Sequence, residues 1–150
     1  MDILLVEDNP ADARLLREVL SEVNKTVRLH VVTDGPEAMA FLRYQGPYLD
    51  VPRPDLILLD LRLPGMDGLE VLAQVKTDPW TRTIPIIVLT TSHSETDIVQ
   101  CYKLMANCYL IKPSEWNEFE KLVKKLNDFW LTQVAFQREQ QTVRSPQTHG

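Results

Sequence analysis

The chain has 150 residues, 44% hydrophobic and 25% charged, with a formal net charge of −5, which is the size and composition of one globular domain with its own core. The acidic balance excludes a broad nucleic-acid-binding face, which needs a basic stripe to neutralise phosphates, and no apolar run reaches the ~20 residues of a membrane span. Met1 to Asp8 carries no basic region or cleavage signal, and Cys101 and Cys108 have neither metal-ligand spacing nor the numbers for a disulfide framework, so a cytoplasmic location is expected.

Ile3-Leu4-Leu5-Val6 is an unbroken apolar run, as in a strand covered on both faces. Asn9 and Pro10 follow as N-cap and first residue of a helix, which Leu15, Leu16, Val19, Leu20 and Val23 continue at helical spacing. A second strand is predicted over 27–32. Asp34 caps a second helix to about Tyr44, with Ala38, Phe41 and Leu42 facing inward. The prolines and glycine between Gln45 and Pro54 predict a loop without regular structure. Residues 55–60 form the most apolar strand, 68–76 a short helix and 84–90 a fourth strand. Ser94, with Asp97 three residues on, opens a fourth helix as a shortened capping box. Residues 108–111 make the fifth strand, and Ser114 caps a long last helix whose solvated face includes Lys121, Lys124 and Lys125.

Five strand–helix units predict an α/β fold, a doubly wound five-stranded parallel sheet with right-handed crossovers. Residues 1–136 read as one domain, and the polar, aperiodic residues 137–150 as a disordered tail.

Ligands of such a sheet bind beyond the carboxyl ends of its strands, at the point where strand order reverses. Strand one ends in Glu7-Asp8, strand three in Asp60, strand four in Thr90-Thr91 and strand five in Lys112. Taken singly, each has a plain structural account as a cap, a solvated acid, a β-branched strand residue or a surface lysine. Together they bring three carboxylates, a hydroxyl and an ammonium to one rim. Three ionised carboxylates repel one another unless a cation sits among them, and hard oxygen ligands in that number suit Mg²⁺. A cation and an ammonium beside a carboxylate stabilise charge on a transferring phosphoryl group. Asp60 is then the nucleophile, with Thr90 donating to one phosphoryl oxygen and Lys112 pairing with another.

Glu7-Asp8, the run from Asp60 to Gly68, Leu89-Thr90-Thr91 and Lys112-Pro113 resemble the motif set of response regulator receiver domains, over about residues 2–130. The resemblance implies a flavodoxin-like (βα)₅ fold and phosphorylation of Asp60 by a partner histidine kinase. It implies Mg²⁺ held by Glu7, Asp8, Asp60 and the backbone carbonyl of Arg62. It also implies Thr90 and Tyr109 as the switch pair, and a cis Lys112–Pro113 peptide. Glu7 to Asp12, the proline-rich loop before Asp55, Leu89 to Ser92 and the long final helix are further similar to the small response regulators that pair with cyanobacterial phytochromes. Arg62 and Thr91 are bulkier than the residues common at their positions, which predicts slow loss of the phosphoryl group.

The last helix, drawn over 115–136, would be about 33 Å long and would outrun the sheet. Phe129, Trp130, Val134 and Phe136 then have no core to enter, and clustered exposed aromatics mark an interface. Homodimerisation through the fourth helix, fifth strand and last helix is expected, with signal output through the domain's own surface. A relay role, passing phosphate to a histidine phosphotransfer protein, is the alternative. A haloacid dehalogenase-like phosphatase needs a second acid two residues after the nucleophile, where Arg62 stands. A dinucleotide-binding enzyme needs a glycine-rich phosphate loop where Glu7-Asp8-Asn9-Pro10 stands. A signalling protein rather than an enzyme is expected.

Overall fold

The computed structural model describes residues 1–134. Strands β1 (Asp2–Val6), β2 (Arg28–Val32), β3 (Leu56–Leu59), β4 (Ile86–Thr90) and β5 (Cys108–Ile111) alternate with helices α1 (Pro10–Val23), α2 (Gly35–Leu42), α3 (Gly68–Thr77), α4 (Glu95–Lys103) and α5 (Trp116–Leu126). Neighbouring strands all pair in parallel, in the order β2-β1-β3-β4-β5. This is the doubly wound sheet expected from the alternation of elements. Among the described residues no helix is long and apolar enough to cross a membrane.

Successive residues of a strand point to opposite faces, and here both faces are covered. Leu4, Val6, Ile57, Leu59, Ile86 and Val88 pack with residues of α2, α3 and α4. Ile3, Leu5, Leu56, Leu58, Ile87 and Leu89 pack with α1 and α5. With apolar residues on both faces, alternation alone does not fix the strand register. The polar residues at the strand ends do. A one-residue slip of β1 or β3 would draw Asp2, Glu7, Asp55 or Asp60 into an apolar layer, at a cost of several kcal/mol for each unpaired charge.

Helix starts follow the caps. Asn9 Oδ1 accepts from the backbone N–H of Ala11 and Asp12, at 2.9 and 3.2 Å, and Asp34 Oδ1 accepts from Glu37 N at 2.7 Å. Ser94 Oγ accepts from Asp97 N at 3.3 Å. The Asp97 carboxylate takes the Ser92 hydroxyl at 2.6 Å instead of closing the box on Ser94. The Gln45–Pro54 loop contains one turn of 3-10 helix, Gly46–Tyr48, which tolerates Pro47 as its second residue because the turn's bond is donated by Tyr48 N, to Gln45 O at 3.0 Å, and needs no N–H from Pro47. The Tyr48 ring packs at a tilt against Phe41, with centroids 5.3 Å apart, and its hydroxyl donates to Glu37 at 2.8 Å, pinning the loop to α2.

The last helix departs most from expectation. Glu115 rather than Ser114 is its N-cap, and no side chain caps it. Its α-helical pattern stops at Leu126 and passes into a π-helical turn, Asn127–Leu131, short of residue 136. Asn127 is buried and accepts from the Asn24 side chain at the end of α1, at 2.9 Å. The wider turn absorbs an extra residue and carries Leu131 into the α1–α5 layer, with Trp130 packed partly against it. Trp130 therefore has a core to enter, while Phe129 is 59% exposed. Phe136 and the tail over 137–150 lie outside the described residues. The Lys112–Pro113 peptide is trans rather than cis, there being no cis bond among the described residues. Trans is the lower-energy isomer before proline by about 0.5–1 kcal/mol.

At the amino edge of the sheet, Asp2 joins three segments. It accepts two bonds from the Arg28 guanidinium at 2.8 and 2.7 Å and pairs with His30 Nε2 at 3.0 Å, while its backbone N–H donates to Asp55 at 2.8 Å. Burial pushes the Asp2 carboxyl up, but the hydrogen bonds from Arg28 and His30, with Arg28's charge, hold it below its ordinary value of 3.8. A carboxyl depressed in the folded state contributes stability above its unfolded pKa and loses it as pH falls through the folded one. Asp2→Asn is expected to lower stability in urea by roughly 1–2 kcal/mol at neutral pH. The gap to wild type should narrow as pH falls through and below the ordinary carboxyl value of 3.8; a gap independent of pH would contradict this role.

Candidate functional site at the carboxyl edge of the sheet

The chain leaves β1 for β2 on one side and returns to β3 on the other, so the reversal of strand order falls between β1 and β3. The ladder continues one residue beyond both strands: Glu7 N donates to Val32 O at 2.9 Å and Asp60 N to Val6 O at 3.0 Å. This holds Glu7 and Asp60 side by side at the rim. Glu7 is 1% and Asp60 8% exposed, whereas Asp8 is exposed to solvent. One carboxylate oxygen from each of Glu7, Asp8 and Asp60 lies within 4.8 Å of the other two.

Lys112 enters this cluster from the end of β5, fixed by its backbone N–H donating to Thr90 O at 2.7 Å. Its ammonium is buried and donates to Glu7 Oε1, to Asp12 Oδ2 at 2.9 Å and to Asp60 Oδ2 at 3.1 Å. The second oxygens are also engaged: Asn9 N donates to Glu7 Oε2 and Arg62 N to Asp60 Oδ1, each at 3.2 Å. Burial pushes the Glu7 carboxyl up to about 7, with the Asp60 charge adding to it, against the opposing pull of Lys112. Burial opposes the charge on Lys112 too, but Glu7, Asp60 and Asp12 outweigh it and hold the ammonium firmly protonated.

Glu7, Asp8, Asp60 and Lys112 thus converge as their placement at strand ends predicts. Thr90, fully buried at the end of β4, turns its hydroxyl to the Ser92 N–H at 3.4 Å. Tyr109 stands apart from the acids; its hydroxyl donates to Ser92 O at 3.0 Å, so both switch candidates grip the same residue after β4. Arg62 and Thr91 are exposed, and the Arg62 charge lies close enough to the Tyr109 hydroxyl to offset part of the upward push of burial on it.

Two functional residues escape a reading by strand ends. Asp12 comes from the first turn of α1, whose N-terminus the Asn9 cap aims at the rim; its place in that turn is the signal. Gly68 opens α3, where a Cβ would stand 2.5 Å from Leu61 Cα and 2.6 Å from Asp60 O. Only glycine lets α3 start against the backbone that carries Asp60.

Three carboxylates with clustered oxygens and one buried ammonium fit a hard divalent cation. The response regulator receiver domain family matches residues 3–125. Response regulator Rcp1 of Synechocystis sp. is 50% identical over 133 residues, 89% of this chain and 90% of that protein. The crystal structure of Mn(2+)-bound Rcp1 superposes with a TM-score of 0.88 at 48% identity, covering 91% of this chain and 99% of that one. The phosphorylated cyanobacterial phytochrome response regulator RcpA also gives a TM-score of 0.88, at 46% identity, over 91% and 98% of the two chains. A receiver fold, an acid cluster at its topological switch point and this similarity lead to one conclusion: the chain belongs to the response regulator receiver domain family, a family of signalling proteins.

Proposed function

We propose that Asp60 accepts a phosphoryl group from a sensor histidine kinase of the phytochrome kind, in the cytoplasm, and that Mg²⁺ is the cation held by Glu7, Asp8, Asp60 and the Arg62 carbonyl. The observation that carries this reading is the buried Lys112 ammonium bonded to Asp60 inside a cluster of cation-ligand type. The phytochrome pairing rests on likeness to RcpA.

An Asp60 carboxylate oxygen attacks phosphorus as the bond to the donor imidazole nitrogen breaks, and the imidazole leaves with the electron pair. A bound Mg²⁺ supplies charge neutralisation of the phosphoryl oxygens. Lys112 donates to one of those oxygens, and Thr90 turns its hydroxyl from Ser92 to another. Ser92, gripped by Thr90 and Tyr109 together, passes that motion to Tyr109 and the α4–β5 surface. Exposed Arg62 and Thr91 slow the entry of attacking water.

Incubated with a phytochrome-type kinase, Mg²⁺ and labelled ATP, the wild type is expected to take up acid-stable, base-labile label and Asp60→Asn none. Label surviving in Asp60→Asn would move the phosphoacceptor elsewhere. Label on Arg62→Asn and Thr91→Ala is expected to decay faster than on wild type, and equal decay contradicts the shielding role.

The signal leaves through a homodimer built on α4, β5 and the α5 region, with Phe129 and Val134 among its contact residues. Support comes from the apolar side chains left exposed there: Val99 and Tyr102 on α4, each at 49%, Met105 just after it at 68%, and Trp116 and Phe129 at 54% and 59%. Light scattering is expected to give a dimer that Phe129→Asp weakens at least about tenfold. A monomer at high micromolar concentration, even when phosphorylated, contradicts it.

A further inference from the structure

An ammonium has three N–H donors, and Lys112 spends them on Glu7, Asp60 and Asp12. The first two belong to the group whose oxygens cluster within 4.8 Å; Asp12 is outside it. Asp12 is also held from behind, by its own N–H on the Asn9 cap at 3.2 Å, and its side chain is only 17% exposed.

This division matters once a cation enters. A divalent ion drawing on Glu7 and Asp60 takes electron density from both of those partners and repels the ammonium beside it. Asp12 is the partner of Lys112 that such an ion leaves free. We infer that Asp12 is a positioning residue for Lys112: it anchors the ammonium from α1 while the cation occupies the other two acids, keeping one N–H aimed at Asp60 and at an incoming phosphoryl oxygen. The inference rests on the proposed phosphoacceptor role of Asp60. The reaction is unchanged by it: the Asp60 oxygen–phosphorus bond forms, the donor–phosphorus bond breaks, and Lys112 keeps its proton throughout.

The test is a double-mutant cycle, with acetyl phosphate as donor and Mg²⁺ present, acetate being the leaving group. Asp12→Ala is expected to slow phosphorylation roughly tenfold, the effect of one charge-assisted hydrogen bond. In a Lys112→Ala background the same change is expected to cost less than about twofold, because its effect runs through the ammonium. Equal factors in both backgrounds, or no slowing at all, overturn the inference while the label on wild type leaves Asp60 standing. No label on wild type overturns the reading of Asp60 and the inference with it. A second measurement needs neither phosphorylation nor the Lys112 variant. The ¹⁵N resonance of the Lys112 ammonium is expected to stay sharp on adding Mg²⁺ to the wild type and to broaden into exchange in Asp12→Ala. Persistence in both proteins contradicts the anchor.

Discussion

Lys112 brings one positive charge to a rim where Glu7, Asp8, Asp12 and Asp60 bring four negative ones. Like charges a few ångströms apart and largely out of water cannot all remain ionised without counter-charge. One ammonium is enough to bind the cluster together and too little to neutralise it. Burial pushes the Glu7 carboxyl up against the pull of Lys112, and the neighbouring Asp60 charge adds to that push. A divalent cation, and then a phosphoryl group, alter the same balance in opposite directions. Lys112 is joined through its backbone to Thr90, and Thr90 and Tyr109 both bond to Ser92 in the loop after β4, so the charge cluster and that loop share one chain of contacts.

The fold exists in the form that sets this balance. Polar strand ends fix the register, and the register places Glu7 opposite Asp60. The Asn9 cap turns α1 so that Asp12 reaches the ammonium, and Gly68 lets α3 start against the backbone of Asp60 and Leu61. Each of these is a local choice of residue type whose consequence appears only at the rim. The apolar layers are interchangeable within limits of volume; the strand-end residues are not.

Much of this was legible in the amino-acid order, for a physical reason. Strands covered on both faces read as unbroken apolar runs, and caps announce themselves by residue type. Residues at strand ends share one edge whenever the sheet is parallel, so Glu7, Asp8, Asp60, Thr90 and Lys112 were readable as one group. Asp12 was not, since its role depends on how a helix leaves the rim. The end of α5 was not either: its apolar stripe continues in helical register, and only the buried Asn127–Asn24 bond and the inward Leu131 favour a π turn. The Lys112–Pro113 isomer differs from expectation because the two forms are so close in energy that residue type does not decide between them.

Burial pushes Glu7 up in a rim whose carboxylates outnumber its one ammonium, which makes cation binding there sensitive to pH. Calorimetric titration of Mg²⁺ tests it directly, run on either side of pH 7 in two buffers of different ionisation enthalpy. Because protonated Glu7 must lose its proton to ligate, affinity is expected to rise as pH is raised through about 7, with up to about one proton released per ion bound. Glu7→Gln should abolish the proton release and weaken binding. Binding of equal strength at all these pH values without proton release, or no binding by the wild type, would contradict the account.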